Sequence, residues 1–523
     1  MISSSRRSGG FLFLVFLFLV VSSGAHASGE RLVVLHTNDH HGRPIAFSFS
    51  GEPAAGGLPA RATLVEGIRA GSDHVLLLDA GDINTGRPES DLFGGEPDIV
   101  GYNFIGYDAA AVGNHEFDRG LEALHRQMET AAFPFLSANI RKPSGEYFAR
   151  PYMIRHFDGF AVAVFGLATV DTVGIAHPAH IAGLRFEDEV KTARSLVPRL
   201  REKADVVIAL VHMGIYDTGR GSMRLAREVP GIDLVVDGHS HSLIHEPVWV
   251  ENRLSGERVP VVQAWKWGLA VGRVDLEVLE RGTRLVAFEA IPVNLPRRYA
   301  GGSSLSLAQN GALLDILDPY SRKVDEMLSE PVAYVPEPIT HLDGRRAETR
   351  LGALVADSMM WAAGGFRPDF AVQNAGGIRD DIPRGTLTAK IVHQVLPFDN
   401  TVSVVELSGK AVMRLLAHMA EGAARDAKGF PQVSSEVEMV VDRQTGRLID
   451  VLIGGKPVDP EGTFRVATNS YLAAGGDGYR VFPESGRVHD TSICQREALT
   501  GYIRHLGSRL SPPPAEARIK FVR

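Results

Sequence analysis

Apolar runs punctuated by polar loops dominate the first three hundred residues. Residues 31–36, 74–79, 109–112, 160–167, 205–211, 234–236 and 259–263 read as strands, with helical stretches between them. Several of these runs are apolar throughout rather than alternating, which is the pattern of strands covered on both faces. An α/β fold is therefore expected over residues 30–300, with layered sheets flanked by helices. Residues 297–306 are rich in Gly, Ser and Arg and read as a connector. A helical pattern follows from residue 307 to 329, carrying Leu313, Leu314, Leu317 and Val324, and places a connecting helix at 305–330. Residues 331–523 hold strands and helices of their own, with Gly-rich turns at Gly364-Gly365, Gly376-Gly377 and Gly475-Gly476. At 523 residues the chain is too long for one ordinary core, which agrees with this division.

The start of the chain has a different character. Arg6 and Arg7 precede an apolar run from Phe11 to Val21, and Ala25-His26-Ala27 offers a small-x-small cleavage pattern. Residues 1–27 read as a signal peptide, and its apolar run is shorter than the roughly 20 residues that span a bilayer. A periplasmic or secreted protein without a stable membrane anchor is expected. Cleavage would take the formal net charge from −7 to −9. That balance, with no concentrated basic run, argues against a nucleic-acid polymer as partner and leaves a small anionic substrate open. The single cysteine, Cys494, rules out an intramolecular disulfide framework.

Candidate chemistry lies where the strands end. His36-Thr37-Asn38-Asp39-His40-His41 closes the first run, Asp79-Ala80-Gly81-Asp82 the next, and Gly113-Asn114-His115-Glu116 the third. Two later runs close with His212-Met213-Gly214 and Asp237-Gly238-His239-Ser240-His241. Ligands of open α/β sheets bind outside the carboxyl ends of strands, so five such ends point at one place. Two divalent cations about 3.5–4 Å apart can clamp a phosphoryl group and generate hydroxide at neutral pH. They require this mixture of carboxylate, imidazole and amide donors.

Asp39-x-His41, Gly81-Asp82, Gly113-Asn114-His115-Glu116 and Gly238-His239-x-His241 resemble the metallophosphoesterase pattern in order and spacing. The stretches 36–42, 81–91 and 113–118 resemble most closely the periplasmic 5′-nucleotidase / UDP-sugar hydrolase group, and the likeness runs over nearly the whole mature chain. It implies an N-terminal metallophosphoesterase α/β sandwich joined by the helix to a C-terminal nucleotide-binding domain. It also implies two divalent ions (Zn, Mn, Co or Mg). One would be held by Asp39, His41, Asp82 and His241, the other by Asp82, Asn114, His212 and His239. Relatives can carry Gln or Asn in place of His241, and an imidazole is equally competent as a ligand. His115 and Asp118 resemble the catalytic pair: an imidazole that stabilises developing charge and a carboxylate that orients it.

For the third region the same resemblance implies the substrate contacts. Asn374, Gly377 and Arg379 match a Gly-rich nucleotide-binding stretch, and Arg345, with Arg346 beside it, matches a second phosphate-binding arginine. Phe398 and Tyr471 match the aromatic pair that sandwiches the base, and Asp477 the carboxylate that binds ribose. The expected activity is hydrolysis of nucleoside 5′-monophosphates, extending to UDP-sugars, by a monomer. The alternatives are a 2′,3′-cyclic nucleotide phosphodiesterase, a group that tends to carry Asn in place of Asp118, and a thiosulfate-chain hydrolase. A non-catalytic nucleotide-binding protein on the same fold is a third.

Overall fold

A computed structural model describes residues 29–49, 52–216, 219–280, 282–295, 306–341, 347–424, 430–485, 487–511, 513 and 517–522. The expected leader, nearly all of the 297–306 connector, and Arg345 with its neighbour Arg346 lie outside the described residues.

Two six-stranded sheets form the N-terminal domain. The first runs Thr283–Pro292, Ala270–Val278, Glu30–Thr37, Val75–Asp79, Ala109–Ala111, Phe135–Leu136. The second runs Val248–Glu251, Arg258–Val262, Leu234–Val236, Val206–His212, Phe160–Ala168, Tyr152–Phe157. The first is parallel from Glu30–Thr37 to its Phe135–Leu136 edge and antiparallel on the other side, and the second has a parallel centre with antiparallel strands at both edges. Their inner faces share one core, in which Leu32, Val34, Leu76 and Leu78 meet Val162, Val164, Ile208 and Leu210. The outer face of the first sheet is covered by helices Leu58–Arg69, Glu96–Ile105 and Gly120–Thr130, that of the second by Glu189–Arg201 and Ser222–Glu228. This helix–sheet–sheet–helix layering accounts for the continuous apolar runs, since a central strand here touches apolar surface on both sides. The hairpin Ala270–Val278/Thr283–Pro292 escapes the sequence pattern because its residues alternate between core and solvent.

The connecting helix, Gly311–Leu328, starts four residues later than its periodicity predicts. Asn310 caps it by accepting from the Leu313 amide (3.1 Å), while Leu307 is tied back to Asn294 (2.6 Å). Leu313 and Leu317 belong to the N-terminal core and Val324 is buried, but Leu314 is exposed, contrary to its place in the expected apolar pattern. At 3.6 residues per turn Leu314 stands about 100° around the helix from Leu313, outside the face that Leu313 and Leu317 share, so it faces solvent.

The C-terminal domain has a five-stranded sheet, in the order Pro431–Val433, Phe370–Asn374, Thr463–Asn469, Thr401–Ser408, Arg487–Cys494. Helix Gly409–Ala424 packs between that sheet and a smaller one containing Val437–Asp442, Leu448–Ile453 and Ile519–Val522. Helices Arg350–Ala362 and Gln495–Leu506 pack against each other on the far side. Cys494 stands at the N-cap of the latter.

Candidate active site

The five strand ends converge at the carboxyl edge of both sheets. Loops 39–42 and 81–83 zip together: the Asp39 amide donates to the Gly81 carbonyl (2.9 Å), His41 to Asp82 (3.0 Å) and Gly42 to Ile83 (2.8 Å). Two further buried carboxylates fasten the remaining turns. Glu116 accepts from the amides of Asp82, Ile83 and Gly113 at 2.6–3.0 Å. Asp237 accepts from Met213, Gly214 and Gly238 at 2.8–3.1 Å. Burial and the neighbouring Asp82 push the Glu116 carboxyl up to about 7.

These clamps hold an unusual backbone. Asp39, His41, Asp82, His239 and His241 all have φ between +50° and +75°, the left-handed region that costs non-glycine residues on the order of 1–3 kcal/mol each. Such strain persists only where the surroundings over-determine it, and here it turns five side chains inward.

Three groups of ligand atoms result: Asp39, His41 and His241; His41, Asp82 and His115; and Asp82, His212 and His239. Nε2 of His41 lies 3.0 Å from Nε2 of His241, which is 3.1 Å from Asp39 Oδ1. Asp82 Oδ2 is 2.9 Å from His212 Nε2, and Asn114 Oδ1 is 2.8 Å from His239 Nδ1. The His212 Nδ1–H donates to the Ala80 carbonyl (2.7 Å), which leaves Nε2 aimed at the cluster. Buried there, Nε2 faces the Asp82 carboxylate.

Burial opposes charging His212, but Asp82 and Asp39 outweigh it and hold the imidazole up to about 10. Burial would likewise raise Asp82, yet His212 and His115 keep its carboxyl below the usual range. Asp82 thus draws a proton onto the facing His212, whereas burial and the nearby Arg379 hold His41 well below its usual range, and a cation would suit this mixture of carboxylates and imidazoles better. The residues fit divalent metal ions.

His115 and Phe117 bound a short 3₁₀ turn, in which residues three apart eclipse. Asp118 Oδ2 thereby meets His115 Nδ1 at 2.7 Å. The opposite nitrogen, Nε2, is left to face the cleft.

The C-terminal domain closes over this edge. Asn374, Gly377, Arg379, Phe398, Tyr471 and Asp477 line one cleft with Asn114, His115 and Asp118. Phe398 stacks on the His115 ring (centroids 5.9 Å apart), and Arg379 Nη2 reaches within 3.4 Å of His41 Nε2. Asp477 accepts from Asn374 Nδ2 (2.7 Å), and its Oδ1 lies 2.9 Å from the Tyr471 hydroxyl. That hydroxyl is also 3.0 Å from the Ile175 carbonyl of the other domain. Further ties cross the gap: Arg87–Asp380 (2.9 Å), Arg119–Asp399 (3.1 Å) and Lys390–Glu89 (2.7 Å).

Sequence reasoning missed several residues here. Ile175, His177 and His180 also line the cleft, from a loop whose sequence carries no motif, and Ser470 and Asn400 join them. Glu116 and Asp237 stood inside the quoted motifs, but their role as amide clamps needed the folded loops. Arg43, two residues beyond His41, is nearly fully buried. Burial, with Arg87 and Arg379 nearby, holds its guanidinium well below the usual range against the pull of Asp380 and Asp91.

Residues 32–243 match the calcineurin-like phosphoesterase model and residues 331–484 that of the 5′-nucleotidase C-terminal domain. A 5′-nucleotidase of Vibrio cholerae is 37% identical over 515 residues, covering 90% of each chain. The chain belongs to the 5′-nucleotidase family of calcineurin-like phosphoesterases. Protein UshA of Escherichia coli is 36% identical over 545 residues, covering 95% of this chain and 96% of its own. The crystal structure of a 5′-nucleotidase precursor from Thermus thermophilus superposes with a TM-score of 0.82 at 31% identity, covering 94% and 99% of the two chains. The protein is therefore a metallophosphoesterase hydrolase that acts on nucleotides, built from the family's two α/β domains.

Proposed function

We propose that this 5′-nucleotidase family member hydrolyses nucleoside 5′-monophosphates to nucleoside and phosphate, and also UDP-sugars, outside the cytoplasm. The observation that carries the reading is the shared cleft, in which the Asp/His cluster of one domain faces Asn374, Arg379, Phe398, Tyr471 and Asp477 of the other. One chain supplies both halves, so a monomer suffices.

Asp39, His41, Asp82 and His241 would hold one divalent ion, and Asp82, Asn114, His212 and His239 the second. The mixed nitrogen and oxygen donors suit Zn, Mn or Co better than Mg. When bound, two such ions neutralise phosphoryl charge and activate water at neutral pH.

The chain's own groups do the rest. Arg379 presents a fork of N–H donors to the phosphoryl oxygens. The Phe398 and Tyr471 rings offer faces for a base, worth about 1–3 kcal/mol per stacked base. Asp477 keeps lone pairs for ribose hydroxyls after accepting from Asn374. His115, oriented by Asp118, stabilises charge that develops on the reacting phosphoryl group.

Export rests on the leader signal at residues 1–27. No helix among the described residues is long and apolar enough to cross a membrane.

The test is phosphate and nucleoside release by the purified mature protein from AMP, UDP-glucose, 2′,3′-cyclic AMP and a sugar phosphate, each with Mn²⁺, Zn²⁺ or EDTA. Metal-dependent cleavage of AMP and UDP-glucose, lost in His115→Ala, is expected. Turnover confined to the cyclic nucleotide, or no turnover at all, would overturn the reading.

A further inference from the structure

Two arginines that take no part in the ring-lined cleft converge on the same loop. Arg43 Nη1 donates to the His41 carbonyl at 2.9 Å. Its guanidinium carbon sits 3.9 Å from the centroid of a Trp267 ring and 5.3 Å from that of Phe47. Arg87 approaches the same Phe47 ring, at 5.4 Å, and pairs with Asp380 at 2.9 Å. Asp380 follows Arg379 in the chain, and Arg379 lies 3.4 Å from His41 Nε2. Three guanidinium groups, supplied by two domains, thus gather beside one candidate metal-binding loop.

Their donors are underused. Arg43 is 3% exposed, yet among the described residues it has no ion-paired carboxylate, and Asp380 is the only one paired with Arg87. The Nε atoms of both arginines are buried without a hydrogen-bond partner. Burying a guanidinium is costly unless a counter-ion and hydrogen bonds compensate. Stacking on Trp267 and Phe47 engages the flat faces through the ring quadrupole, but apart from Arg43 Nη1 on the His41 carbonyl and Arg87 Nη2 on Asp380 it leaves in-plane N–H groups, both Nε among them, without a partner. Those in-plane donors match the oxygens of a phosphoryl group in geometry and charge. Simple packing would be better served by an apolar side chain in the place of Arg43. An interdomain tie alone would need Arg87 and Asp380, but not Arg43.

We propose that Arg43 and Arg87 form a second anion subsite beside the His41 loop, which takes the phosphoryl group adjoining the reacting one in nucleoside diphosphates and diphosphate-linked sugars. The inference rests on the nucleotidase reading above and deepens it: these two residues set the preference for a diphosphate over a monophosphate.

The experiment compares kcat/KM for AMP, ADP and UDP-glucose in the full mature chain and in Arg43→Gln, Arg87→Gln and Asp380→Asn, with thermal melts to verify folding. The ratio of diphosphate to AMP efficiency should fall at least about tenfold in each arginine variant, the loss of one charge-assisted interaction. It should hold or rise in Asp380→Asn, which frees Arg87. Should Arg43→Gln fail to fold, Arg87→Gln alone decides the matter. Ratios within twofold of wild type in Arg87→Gln would overturn the subsite. So would an equal fall in Asp380→Asn, because domain pairing would then explain the effect. A wild-type protein that cleaves AMP but neither diphosphate sinks this inference and spares the monophosphatase activity. One that cleaves no nucleotide sinks the nucleotidase reading itself.

Discussion

Replacing Asp118 by Asn isolates what the carboxylate does for His115. The two side chains meet at 2.7 Å and are 14% and 17% exposed, so the pair is partly screened rather than sealed. A hydrogen bond to a charged partner contributes about 1.5–3 kcal/mol in such settings. If that interaction matters mainly when His115 carries charge in the transition state, its loss lowers kcat by roughly 10- to 150-fold and leaves KM nearly unchanged. The assay is steady-state phosphate release from AMP at saturating Mn²⁺, with bound metal measured by mass spectrometry to show that the cluster is intact. His115→Ala and the double variant complete a cycle. Because Asp118 acts through His115, the double variant should be no slower than His115→Ala alone. Full activity in Asp118→Asn would refute the orienting role. Multiplicative losses in the double variant would show that Asp118 works independently, as a first-turn carboxylate and no more.

Three further outcomes are expected. Asp82→Ala removes the carboxylate common to two of the three ligand groups, so bound metal should drop by at least one ion per chain and kcat by on the order of 10³-fold; unchanged metal content would contradict the arrangement. Tyr471→Ala should raise KM for AMP about 5- to 150-fold while Tyr471→Phe, which keeps the ring, stays within about fivefold; similar effects in both would assign the hydroxyl, rather than stacking, the main role. Asp188 caps helix Glu189–Arg201 by accepting from the Lys191 amide (2.8 Å) and pairs with Arg224. Burial works against its charge, but these partners hold the carboxyl below the usual range. Its contribution is therefore complete above the unfolded pKa near ~4 and fades as pH falls through the lower folded value. Asp188→Ala should cost about 1 kcal/mol, a melting shift of about 2–4 °C at pH 7 that shrinks toward pH 3; an undiminished shift in acid would refute the linkage.

Much of the N-terminal domain was legible in the chain because its central strands are buried on both faces. Residues 234–236 begin and end as the pattern predicts, and residues 31–36 extend by one residue at either end. Each candidate ligand stands within a few residues of such a run, so Asp39, Asp82, Asn114, His212 and His239 could be placed at strand ends without coordinates. Local information falls short where packing decides. The amphipathic hairpin Ala270–Val278/Thr283–Pro292 shows no continuous apolar run, and Leu314 fits a helical pattern yet faces solvent. Sequence spacing likewise cannot show that five ligand-type residues adopt left-handed backbone, because that strain is sustained by distant loops such as 81–83 and 237–239. Nor does it bring Arg43 and Arg87 onto one phenylalanine ring, or set Phe398 on His115 from the other domain. The chain by itself determined where its central strands lie and the chemical types waiting at their ends, since burial pattern and residue identity are local properties. Tertiary structure alone decided which of those side chains meet, because contact across hundreds of residues depends on how two sheets and two domains pack.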